Sequence, residues 1–182
     1  MRKRDAAIGA KLDARALPLA DIQPGDIGVA HSKGIIGWLI RLGTRSYWNH
    51  SFVVVDAGKH TPETIIVVQA EAHGVEYARL ADVAVGGSWA ILPCPAGVDP
   101  DRVVDQADDF VGWDYAFVVI ASLSINIVLP FLRLQVQRSG TLICSAVSAL
   151  SLHAGGYLER PWTDLYAVTP AQIAVALSAP AA

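Results

Sequence analysis

The chain has 182 residues, 53% of them hydrophobic and 17% charged, with a formal net charge of −3. That length suits one domain with a real core, and the apolar fraction excludes an intrinsically disordered chain. The charge balance leaves no basic footprint for nucleic acid, and two cysteines allow at most one disulfide, which excludes a stapled mini-scaffold.

The N-terminus, MRKRDAAIGAKLDARALPLAD, starts basic, but charges interrupt it and the apolar core of a signal peptide does not follow. The expectation is an N-terminal extension over 1–19 and a single domain over 20–182. Its expected location is the cytoplasm, or wherever a non-classical route such as a phage particle delivers it. QPGDIGVA carries a Pro-Gly-Asp turn into a short strand that His31 ends. GIIGWLIRLG sets Ile35, Ile36, Leu39, Ile40 and Leu42 near helical spacing, with Gly43 as a stop. HSFVVVD and TIIVVQAEA are β-branched runs joined by AGKHTPE, a hairpin pattern, and SWAILPC predicts a further strand. DPDRVVDQADDFVG predicts a capped amphipathic helix after Pro100.

Over 116–132, AFVVIASLSINIVLPFL carries no charge. It falls short of the ~20 residues that a spanning helix needs, and Pro130 should bend it. Burial as a core segment is favoured over membrane contact. Part of it is nevertheless expected to stay exposed beside the site, to meet a second copy, another protein or a lipid surface.

SGTLICSAVSALSLHAGGY reads as a helix starting near Thr141. Ile143, Val147, Leu150 and Ala154 share a stripe assigned to the core, while Cys144, Ser148 and Ser151 form a small polar stripe expected to open to a cleft. In the first turn, backbone amides and the helix dipole favour the thiolate, the nucleophilic form. Cys94, between two prolines in LPCPAG, is read as structural. A helix on a small, mostly antiparallel sheet is an α+β arrangement.

A catalytic thiol needs a base, normally histidine, and the base needs an orienting partner. Of five histidines, His60, His73 and His153 fall at a hairpin tip, a turn and a helix end, and His31 ends a strand. His50 opens one, where its ring can leave the end of a sheet. A hairpin centred between His60 and Thr61 sets Phe52 opposite Gln69 and His50 opposite Glu71. His50, Gln69 and Glu71 then share one face, an arrangement that a one-residue slip would destroy. The histidines do not fall at ligand spacings, so neither a metal nor another cofactor is expected.

The order GDI, TRSYWNH, a strand with VVQAEAHGVEYARL, GWDY and LICSAV resembles the circularly permuted papain-like hydrolases over residues 23–152. That group includes YiiX-like proteins, permuted relatives of the NlpC cell-wall amidases, and the lecithin:retinol acyltransferase group. The resemblance implies a permuted papain-like fold with Cys144 as nucleophile and His50 as general base. It places the third polar residue at the end of the strand after the histidine, here Gln69 or Glu71, with Glu71 slightly preferred for its charge. The implied substrate is an amide in cell-wall peptide or an acyl-lipid ester, and the amide is favoured. Three positions depart from the pattern: QA at Gln69 stands for an acidic-Ala pair, CSA at Cys144 for Cys-Ser-Glu, and WDY at Trp113 for Tyr-Asp. Gln69 and Ala146 support a rival reading, an inactive binding or structural module that keeps the fold.

Overall fold

The computed structural model describes residues 16–33, 37–38, 41, 46–83, 85, 87–115, 141–158, 162 and 164–178. The chain is α+β. β1 (Ile27–His31), β2 (His50–Asp56), β3 (Ile66–Glu71), β4 (Gly74–Arg79) and β5 (Ser88–Leu92) form one sheet ordered β4-β3-β2-β1-β5, with every pair antiparallel. α1 (Pro100–Asp109), α2 (Cys144–Ala154) and α3 (Pro170–Ser178) are helices. β6 (Asp114–Tyr115) and β7 (Thr141–Leu142) pair in parallel just ahead of α2.

The unbroken β-branched runs have a simple cause: the sheet is covered on both sides, so alternate residues are buried either way. Val53 and Val68 pack into one cluster with Cys144, Val147 and Leu152 of α2 and Val103 and Ala107 of α1. Phe52, Val54 and Val67 pack into the other, with Ile22, Leu80 and Ile91. Gly28 sits opposite Phe52 in the β1–β2 ladder, and a Cβ there would lie 1.9 Å from the phenyl ring. The missing side chain is what lets the ring lie across β1.

α1 forms where the sequence predicts a capped helix, but it includes Pro100 as its first residue. Asp99 caps it, accepting from the amides of Asp101 at 3.1 Å and Arg102 at 3.4 Å, and Pro100 occupies the first turn, where its missing N–H is harmless. Asp26 is a second fixed point. Its buried carboxylate accepts from the Gln23 and Cys94 amides, both at 2.8 Å, tying the turn before β1 to the chain leaving β5. Burial raises its pKa, and those two amide bonds oppose the rise.

Several expectations need correction. α2 starts at Cys144 rather than near Thr141, because Thr141 and Leu142 pair with β6 and Ile143 is still extended. The stripe of Cys144, Ser148 and Ser151 does not open to a cleft: all three are buried. The small side chains let α2 settle closely on β2, where Ser51 gives Ser148 a partner at 3.0 Å. β4 and α3 have no counterpart in the elements read from sequence. Of the helix expected over 34–43, Gly37, Trp38 and Arg41 are described and are helical. The expectation for 116–132 lies outside the described residues, as does most of the proposed 1–19 extension. Among the described residues no helix is long and apolar enough to cross a membrane.

Candidate active site

β2 begins and β3 ends at the same end of the sheet, which brings His50 to Gln69 and Glu71. The ladder pairs Phe52 with Gln69, Val53 with Val68 and Val54 with Val67, the register expected from the hairpin, and shifts only between Val54 and Asp56. The bulge lies toward the turn, so it leaves the site end undisturbed.

His50 is 5% exposed. Its Nε2–H donates to Gln69 Oε1 at 2.8 Å, and Gln69 is itself buried. Glu71 stands farther off, with Oε1 3.8 Å from the same nitrogen and its side chain 46% exposed. The hydrogen bond that fixes the ring therefore goes to Gln69, while Glu71 contributes charge from the rim. A neutral amide suffices to orient an imidazole because only a carbonyl lone pair is required.

On its other side the ring meets the thiol. Cys144 is the first residue of α2, close enough to His50 for its sulfur to bear on the protonation of the ring. With Nε2 given to Gln69, Nδ1 is the nitrogen left for sulfur. Burial disfavours the charged imidazolium. The Cys144 hydrogen bond and charge, the Gln69 hydrogen bond and the Glu71 charge outweigh it, and the His50 pKa is pushed up to about 9. The ring accordingly holds its proton through neutral pH.

The other histidines and the other thiol are arranged differently. His31 Nδ1 faces the Tyr47 carbonyl at 2.8 Å, with the two rings stacked at 4.2 Å. His60 faces the Leu19 carbonyl at 3.1 Å, and His73 and His153 are exposed. Burial, with Asp26 and Asp99 nearby, pushes the Cys94 thiol up to about 11.

Two residues flanking His50 were not singled out from the sequence. Asn49 is buried and clamps Ser32, accepting from its amide at 2.8 Å and donating to its carbonyl at 2.9 Å. Arg41 Nη1 donates to that same carbonyl at 2.7 Å. Ser51 is fully buried and bonds to α2. The available signal was the run NHSFVVV itself, in which two polar residues interrupt a strand that is otherwise wholly apolar beyond the histidine.

No protein-family model and no curated protein matches the chain. The site sets a thiol at a helix start beside an imidazole that an amide holds, and groups of these types can serve as nucleophile, base and orienter in covalent catalysis.

Proposed function

We propose that this chain is a cysteine hydrolase of the circularly permuted papain-like type, acting through an acyl-thioester. The observation that carries the reading is the His50 ring held by Gln69 at 2.8 Å, with Cys144 at the head of α2 acting on the same ring. The chain order supports it, since the histidine and its holder precede a cysteine at the head of a helix packed on an antiparallel sheet.

In this reading the proton of Cys144 resides on His50, leaving a thiolate beside an imidazolium. The thiolate attacks the substrate carbonyl, forming a C–S bond. The oxyanion so formed lies at the start of α2, where the Cys144 N–H and the helix dipole stabilise it. Collapse of the tetrahedral intermediate breaks the C–N bond as His50 gives its proton to the leaving amine. The neutral imidazole then takes a proton from water, whose oxygen attacks the thioester and releases the acid. His50 finally returns that proton to the sulfur, or retains it. Gln69 keeps the ring in the tautomer and orientation both transfers need. The substrate class is an amide within cell-wall peptide, the favoured of the two that the resemblance implies, the other being an acyl-lipid ester.

The test is incubation with cell-wall peptide amides and, separately, with phospholipid esters, followed by intact-mass measurement. Amide cleavage with an adduct on Cys144, lost in Cys144→Ala, is the expected result. An adduct from phospholipid alone would transfer the reading to lipid acyl chemistry. No turnover of either, with an inert Cys144, would favour the binding module.

A further inference from the structure

Ser51 follows His50 directly on β2, and strand alternation turns the two side chains to opposite sides. The hydroxyl of Ser51 donates to the main-chain carbonyl of Cys144 at 3.3 Å and lies 3.0 Å from Ser148 Oγ. A hydroxyl has one proton. With the Ser51 proton on the carbonyl, Ser148 must donate to Ser51, which fixes the direction of the whole chain. Both serines are 0% exposed, so no water competes for these bonds.

Away from His50 and Ser51, the sheet face under α2 is apolar. Val53 of β2 and Val68 of β3 share a cluster with Val147 and Leu152, and such packing attracts without fixing position along the strand. The Ser51 bond is directional, and it joins the residue beside the base to the backbone of the residue bearing the thiol.

We infer that Ser51 is a positioning residue that sets the Cys144 thiol in register with the His50 ring. The inference rests on the reading above, that Cys144 and His50 act as a pair. Ser51 itself touches no reacting atom. Loss of its hydroxyl leaves Ser148 free to turn back to the Cys144 carbonyl four residues earlier, a bond serine commonly makes within helices. The helix thereby stays internally paired while its polar tie to β2 is cut.

The test is the rate of Cys144 alkylation by iodoacetamide, followed by peptide mass from about pH 6 to about pH 9, with thermal unfolding of every variant. Displacing a reacting group by about 1 Å can cost on the order of 100-fold. Ser51→Ala should slow labelling near neutral pH at least about tenfold and give the pH profile of His50→Ala. Ser148→Ala, which keeps the Ser51–Cys144 bond, should retain the wild-type rate and profile. Ser51→Ala with an unchanged rate and profile, whatever its melting temperature, overturns the inference. So does Ser148→Ala falling to the His50→Ala level, a result that remains decisive should Ser51→Ala fail to fold. If His50→Ala itself labels like the wild type, the paired reading fails first.

Discussion

His50 gives its Nε2 proton to Gln69 at 2.8 Å, while Glu71, the charged neighbour on the same face, stays 3.8 Å away. A buried hydrogen bond and a half-exposed charge differ in what they can do. The first fixes a ring; the second is screened by solvent and salt. Gln69→Ala should therefore lower kcat/KM on the order of 100-fold, and Glu71→Ala by less than about tenfold. A greater loss in Glu71→Ala than in Gln69→Ala would reverse the assignment.

The two thiols should separate cleanly. Cys94 is half-buried with its pKa pushed up to about 11, so it stays protonated and sluggish at neutral pH. Cys144 is more buried, yet it has His50 as a proton acceptor. Iodoacetamide should modify Cys144 at least about tenfold faster near pH 7, and His50→Ala should abolish the difference. Faster labelling of Cys94 would mean that access, not activation, governs both.

His50 also sets the pH response. In the proposed mechanism its proton goes to the leaving amine, and its pKa is pushed up to about 9, so kcat/KM should fall through about pH 9 on the alkaline side. The same shift acts on stability. The folded pKa lies above the ordinary histidine value of 6.5, so the folded state binds the proton more tightly. That contribution is complete below about pH 6.5 and disappears as pH rises through about 9. Relative to His50→Gln, the melting temperature of the wild type should decline over that window, as scanning calorimetry can measure. A difference that grows with pH would contradict the direction of the shift.

Gly28 offers a test of the fold alone. A methyl group there would meet the Phe52 ring at 1.9 Å, and that ring is itself fully buried in its cluster. Gly28→Ala should destabilise the protein by about 1–3 kcal/mol in urea titration, by overpacking. Phe52→Leu in that background should recover part of the loss. Unaltered stability of Gly28→Ala would show that the ring moves freely.

Much of this was legible in the sequence for local reasons. The hairpin register followed from β-branched runs of matching length about a short polar loop, and it brought His50, Gln69 and Glu71 together before any coordinates. Pro100 announced α1 because helix starts are encoded within a few residues. The failures share a different origin. β4 reads GVEYAR, half polar because it is an edge strand whose burial falls off after Val75, and its partner β3 is what makes it a strand. The serine stripe of α2 looked solvent-facing because its partner, Ser51, lies far away in sequence. Whether Gln69 or Glu71 holds the ring depends on about an ångström of side-chain reach, which no residue pattern contains.

The separations along the chain bear on how the protein acquires reactivity. His50 and Gln69 are 19 residues apart, whereas Ser51 and Cys144 are 93 apart. Closing the shorter loop costs less chain entropy, so the hairpin can set the imidazole against its amide early, without help from the rest of the molecule. The thiol arrives only when α2 docks on the finished sheet. Nascent or partly unfolded chains would thus carry a prepared base and a dormant nucleophile, sparing other proteins from a reactive sulfur. During refolding from denaturant, labelling of Cys144 should rise after the β-sheet signal in circular dichroism, in step with burial of the helix.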